Sequence, residues 1–334
     1  MKKFTLVSTI FNEARRLEQS LQEIEHQTII PDEIIITDAG STDGSIDILN
    51  AYAAKSKLNI KVIVKKGCAV AEGRNIAIEN AANDLIVSTD FGCQYEPDWL
   101  ETLIKYFDDP QIEVVGGAFT VNESEIKTAA ARADYILQNG YKVKIDDTFS
   151  VSSRSIAYYK YVWSKIGGYN EWLTLAADDT IFWREIKQHK FNYIIDPKPL
   201  VKWNRHTTAR QFAKEAGRYG LGDGESQINF RNFISNVAET AIRYCIIPFT
   251  VLLLIVKNWW LTPLYIIMIF GLRSYLRAIK NVINLNNPKY GWKNLPMCFY
   301  MIETQRIAYI KNYIKGWLFK SSAQKTEQQK LTVK

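Results

Sequence analysis

From Phe4 to Asp90 the chain alternates between two kinds of segment, and this constrains the fold more than any other feature of its 334 residues. FTLVSTI is short, apolar and β-branched, and the following ARRLEQSLQEIEHQ places Leu17, Leu21 and Ile24 at helical spacing. Pro31 stops that helix and DEIIITD supplies a second strand. STDGSIDILNAYAAKS offers a Ser or Thr N-cap to an amphipathic helix; NIKVIVKK is a third strand, AEGRNIAIENAA another helix and DLIVSTD a fourth strand. Strands apolar on both faces and separated by helices predict an α/β fold with a mostly parallel sheet covered by helices. Such sheets bind ligands off the carboxyl ends of their strands. Here those ends carry Thr9 to Glu13, Asp38 to Asp43, and Asp90. Any one of these fits a turn; collected on one rim they favour a binding crevice.

The same residues carry a resemblance. TIFNEARRLEQSLQEIEHQTIIPDEIIITDAGSTDGS resembles the opening of the family 2 inverting glycosyltransferases, with its Asn-Glu pair after the first strand, Gln-Thr before a Pro and a "DDGSTDGT"-type loop. AEGRNIAIENAANDLIVSTDFGC is similar to the family's Arg-Asn helix and Asp-x-Asp strand end, and IGGYNEWLTLAADDTIFWREIKQHKF to its acceptor-side block. The similarity runs over roughly residues 1 to 225 and implies a Rossmann-like GT-A fold holding a nucleotide-sugar, with a UDP-sugar as the expected donor. By matching position it implies donor binding by Thr9, Asn12, Glu13, Asp38, Arg74 and Asp90, and a weakly bound divalent metal, Mg or Mn, at Asp90. Two positions depart from the pattern: Ala39 stands for the second acid of "DDGS" and Gly92 for the second acid of Asp-x-Asp. Each change removes a hard oxygen acceptor.

Inverting transfer needs a base for the acceptor hydroxyl. The resemblance makes Asp179 that base and Asp178 its acidic neighbour; as residues alone, both also suit the first turn of a helix, where the macrodipole favours acids. RHTTARQFAKEAGRYGLGDGE groups His206, Arg210, Gln211, Arg218 and Tyr219 within one loop and helix. It is similar to the family's Gln-x-x-Arg-Trp-type segment with a longer gap, which adds Gln211, Arg218 and Tyr219 to the donor side. A basic surface facing solvent or lipid is the other reading of these arginines. His26 and His189 lack a metal-ligand partner and read as surface residues, and Cys93 reads as a small buried hydrophobe.

The four cysteines are scattered without a CxxC pair, which suits a reducing compartment. MKKFTLVSTIFNE is too soon broken by polar residues to be a signal peptide, so the chain is expected to begin in the cytosol. The net charge of +7 is a C-terminal property: Arg273 onward holds 12 Lys or Arg against 2 acids. Because this follows the most apolar part of the chain, it points to a membrane surface rather than nucleic acid. YCIIPFTVLLLIVKNWWLTPLYIIMIFGL, Tyr244 to Leu272, has Lys257 as its only charge and predicts a hairpin of two membrane helices, spanning or re-entrant. Arg231 and Arg243 before it and Arg273, Arg277 and Lys280 after it place both ends on the cytoplasmic side of an inner or cytoplasmic membrane. LPMCFYMIETQRIAYIKNYIKGWLF reads as an interfacial helix, and SSAQKTEQQKLTVK as a polar tail.

The expected organisation is a nucleotide-sugar-binding half at 1–100, an acceptor-binding and catalytic half at 101–230, membrane-associated helices at 231–320 and a tail at 321–334. The expected acceptor is a hydroxyl on a lipid-linked or growing glycan in cell-surface polysaccharide synthesis. A polyprenyl-phosphate acceptor and a non-catalytic nucleotide- or glycan-binding membrane module are the alternatives.

Overall fold

The computed structural model describes residues 2–174, 176–246 and 271–318. The core of the expected membrane hairpin and the polar tail lie outside these residues. Two compact units form: Met1–Glu125 with Val143–Arg205, and Ile126–Lys142 with His206–Lys334. These boundaries fall elsewhere than the breaks expected at 100 and 230.

The first unit is built on an eight-stranded sheet. The expected strands form as β1 (Phe4–Ile10), β2 (Glu33–Asp38), β3 (Ile60–Val64) and β4 (Leu85–Ser88), with helices α1 (Ala14–Glu25), α2 (Ser45–Ala53) and α3 (Val70–Glu79) between them. The four strands pair in parallel, in the order β3-β2-β1-β4. Leu6, Ile34, Ile36 and Val87 face the same cluster as Leu17, Leu21 and Ile24 of α1, and Val7, Ile35 and Ile86 pack with Ala77 and Ile78 of α3. Alternate side chains thus bury on opposite faces.

Beyond β4 the sheet is mixed, which corrects the mostly parallel expectation. β5 (Cys93–Tyr95), β6 (Val114–Val121), β7 (Ile156–Tyr159) and β8 (Tyr193–Trp203) complete the order β4-β7-β6-β8-β5. β7 runs antiparallel to both β4 and β6, β8 runs parallel to β6, and β5 antiparallel to β8. Short helices α4 (Trp99–Ile104) and α6 (Lys160–Ile166), together with α7 (Asp178–Gln188), cover this half.

The second unit is helical: α5 (Ala129–Leu137), α8 (Ala209–Ser226), α9 (Phe230–Ala241), α10 (Arg273–Leu285) and α11 (Leu295–Leu318). The segment read as a loop and helix is a loop through Thr208 followed by an 18-residue helix, α8, which continues through four glycines. Glycine usually weakens a helix interior, but here it permits backbone contact: a Cβ at Gly220 or Gly224 would strike the carbonyl oxygens of Tyr309 and Tyr313 of α11. Arg243 is buried rather than lying on the surface as a topology signal: it pairs with Glu239 (3.2 Å) and Glu303 (3.0 Å) and donates to the Gly271 carbonyl at 2.5 Å. The two ends of the intervening segment are thereby joined. Among the described residues no helix is long and apolar enough to cross a membrane.

Candidate active site

The rim at the carboxyl ends of β1, β2 and β4 is stitched together by short polar side chains. Asn12 sits in the left-handed region (φ 56°), which Asn tolerates. Its Oδ1 accepts from Thr42 N at 2.9 Å, and its own N–H donates to Ser41 Oγ at 2.8 Å. Glu13 N donates to Ser45 Oγ, and Ala14 N to Asp43 Oδ2, both at 3.0 Å. Asp38 is fully buried; its Oδ1 takes the Gly40 and Ser41 N–H groups at 2.7 and 2.8 Å, and its Oδ2 meets no hydrogen-bond partner. Thr9 Oγ1 is likewise buried without one, and α3 reaches Thr9 because Gly73 has no Cβ to collide with it. Buried acceptors left open on a rim are the groups a bound ligand would satisfy.

At the centre is Arg74, 4% exposed, which joins the segments expected on the donor and acceptor sides. Nη1 donates to Asp178 Oδ2, Nη2 donates to Asp90 Oδ1 at 2.6 Å, and the guanidinium lies 5.4 Å from the Tyr169 ring centroid. Burial opposes its charge, but Asp178 and Asp90 outweigh that and hold it protonated above its usual range. Burial likewise pushes against the Asp90 charge, and Arg74 with Arg154 overcomes it, leaving the carboxyl below its usual value. For Asp178 burial prevails over Arg74, with Asp179 adding repulsion, and its pKa rises to about 6. Ala177, left-handed at φ 75°, turns the chain into α7 so that Asp178 and Asp179 occupy its first turn. Asp179 Oδ2 accepts from Ser152 Oγ at 3.1 Å, and Oδ1 from Thr180 N at 2.8 Å.

Next to Arg74, Asn75 fixes the Gly-Gly-aromatic loop. Its amide donates to the Tyr169 carbonyl and to Glu171 Oε1, both at 2.8 Å, and accepts from Tyr169 N and Trp163 Nε1 at 2.9 Å.

Position 92 shows why its acid is missing. Gly92 is at φ 93°, a conformation that disfavours other residues, and a Cβ there would stand 3.3 Å from Glu13 Oε2. The Glu13 carboxylate therefore fills the neighbouring space. Burial, then the charges of Asp90 and Asp43, push its pKa to about 7. The folded chain holds this proton more tightly than an unfolded chain would, so Glu13 favours folding below pH 4.5, and that contribution is lost as pH rises to 7. Thermal melts of Glu13→Gln against the native protein should show the variant gaining relative stability between pH 4.5 and 7 and then levelling; a pH-independent difference contradicts the assignment.

Arg154 has no counterpart among the residues anticipated from sequence. Its Nε lies 3.7 Å from Asp90 Oδ2, its Nη1 donates to Ser152 Oγ at 3.0 Å, and its guanidinium carbon is 3.9 Å from the Trp203 ring centroid and 5.4 Å from that of Phe119. Ser152 in turn donates to Asp179 Oδ2 at 3.1 Å.

Gln211, Arg218 and Tyr219 lie in the second unit. Gln211 Oε1 closes the capping box of α8 by accepting from Thr208 N at 3.1 Å. Arg218 and Tyr219 are exposed on the same helix, with the Tyr219 hydroxyl 3.4 Å from Glu215 Oε1.

The mixed sheet covered by helices, with this rim of strand ends, is an α/β fold of the GT-A type. Residues 5–167 match the model of glycosyl transferase family 2. The chain is 25% identical over 219 residues to the O-antigen chain rhamnosyltransferase RfbN of Salmonella typhimurium, covering 63% of this chain and 68% of that protein. It is 27% identical over 150 residues to glycosyltransferase GlyA of Streptococcus pneumoniae serotype 4, covering 45% of this chain and 21% of that one. The fold is similar to that of a mannosyltransferase of Pyrobaculum calidifontis solved with GDP-Man and Mn2+, with a TM-score of 0.56 at 16% identity over 93% of this chain and 86% of that one. Residues 5–167 form a glycosyl transferase family 2 domain, and the protein is a glycosyltransferase.

Proposed function

We propose that this enzyme is a membrane-attached inverting transferase that moves a sugar from a nucleoside-diphosphate sugar, with UDP-sugar the expected donor, to a hydroxyl of a lipid-linked or growing glycan in cell-surface polysaccharide synthesis. The observation that carries the reading is the Arg74 bridge between Asp90 and Asp178, which sets a donor-side carboxylate beside the acid pair of α7. The open acceptors Asp38 Oδ2 and Thr9 Oγ1, within the loop held by Asn12 and Glu13, suit a nucleoside. Asp179 takes the proton of the acceptor hydroxyl as its oxygen bonds to the anomeric carbon from one face. The bond from that carbon to the diphosphate breaks on the other, and its electron pair leaves with phosphate oxygen. Buried Asp178, held by Arg74, positions its neighbour.

Among the described residues no three His, Cys, Asp or Glu side chains gather as a cation cage. Asp90 with Glu13 beside it still suits a Mg or Mn ion that takes its remaining ligands from phosphate and water. When bound, such an ion offsets diphosphate charge. Membrane attachment draws support from α10, whose exposed residues include Arg273, Leu276, Arg277, Lys280 and Ile283. On α11 the exposed residues Ile307, Lys311, Ile314, Lys315, Trp317 and Leu318 have the same basic and apolar mixture. The catalytic unit would face the cytoplasm.

A thermal-shift screen of UDP-, GDP- and dTDP-sugars, with and without manganese, tests the donor reading. A ligand bound to the folded chain raises its melting temperature, so at least one nucleotide-sugar should do so, and a panel without any shift refutes the reading.

A further inference from the structure

We infer that Arg154 binds the diphosphate of the donor and offsets its charge as it leaves, from a seat fixed by Trp203 and Phe119. The inference rests on the donor reading above and adds a residue to it. Arg154 lies just before β7, and its backbone carbonyl accepts from Thr89 Oγ1 at 2.9 Å, so its main chain is tied to the residue preceding Asp90. Its side chain is 16% exposed and stacks 3.9 Å from the centroid of Trp203, at the end of β8 where that strand pairs with β5. An aromatic platform orients a guanidinium without neutralising it.

Asp90 already has Arg74 at 2.6 Å, whereas the Arg154 contact to Asp90 is 3.7 Å, beyond hydrogen-bond length. Arg154 is thus held near the donor-side carboxylate, whose closer cation is Arg74. Through Ser152, which accepts from Arg154 and donates to Asp179, the same guanidinium is linked to the candidate base. A cation placed between these two carboxylates stands where the bond to the leaving group breaks. The planar fork of arginine matches phosphate oxygens.

The test compares diphosphate with monophosphate. Isothermal titration of UDP, GDP and dTDP and of their monophosphates against the native chain identifies the base that binds. Arg154→Ala should then weaken the diphosphate by about tenfold or more while changing the monophosphate less than about twofold. Arg154→Lys, which keeps the charge without the fork, should fall between. A merely structural arginine would lower both nucleotides together or neither, and either pattern overturns the inference while leaving the donor reading intact. A native chain that binds none of the diphosphates overturns the donor reading and this inference with it.

Discussion

Arg74→Met should destabilise the first unit by about 3–5 kcal/mol, because it removes the partner of buried Asp178 and the closer partner of Asp90. Methionine matches the length of the arginine stem, so most of the loss comes from uncompensated charge rather than from a cavity. The sign of the pH dependence follows. A lone buried carboxylate is tolerated when protonated, so the deficit should be largest near pH 8 and shrink toward pH 5 as Asp178 takes up a proton. Asp178→Asn in the Arg74→Met background should recover part of the loss at pH 8 and little at pH 5. Urea denaturation of the native protein, both single variants and the double variant at both pH values checks this. Equal losses at the two pH values, or no recovery in the double variant, would mean that the bridge contributes little to the fold.

How much of this was legible in the sequence depends on the half of the sheet. β1 to β4 are continuous apolar runs between amphipathic helices, and periodicity alone finds them. The later strands violate the usual signals for physical reasons visible in the structure. β6 carries Gly116 and Gly117, which read as a turn, yet a Cβ at either would collide with Val151 or Ser155, so glycine is what close packing demands there. β8 contains Pro197 and Pro199, normally strand breakers; its pairing with β6 shifts register around Ala118, and the strand passes the prolines at that irregularity. In α8 the glycines look like a loop because their role, contact with the α11 backbone, is set by residues some ninety positions away.

The site divides in the same way. Family motifs point to Asp38, Arg74, Asp90, Asp178 and Asp179, and the structure brings Arg74, Asp90 and Asp178 into direct contact with Asp179 adjoining. Arg154 was not found, because a single arginine ahead of a strand has no spacing to mark it; only the fold brings Trp203, Ser152 and Asp90 around it. Family position puts Glu13 among the donor-binding residues, and its carboxylate also occupies the space beside Gly92, a relation between residues 79 positions apart that no local pattern encodes.

The central claim is that the acid pair of α7 does the chemistry, with Asp179 as base. Asp179→Asn keeps the shape of the side chain, can still accept from the Thr180 N–H through its carbonyl oxygen while its amide N–H meets Ser152 Oγ, and loses the ability to take a proton. The expected effect is a fall of about 10²–10⁴-fold in transfer, with the melting temperature and nucleotide affinity of the native chain retained. The measurement is the rate of sugar transfer from the nucleotide-sugar that stabilises the enzyme, in native and Asp179→Asn protein at matched donor saturation. The expected variant binds donor normally and transfers almost nothing; transfer at near-native rate with donor binding unchanged would remove Asp179 from the base role.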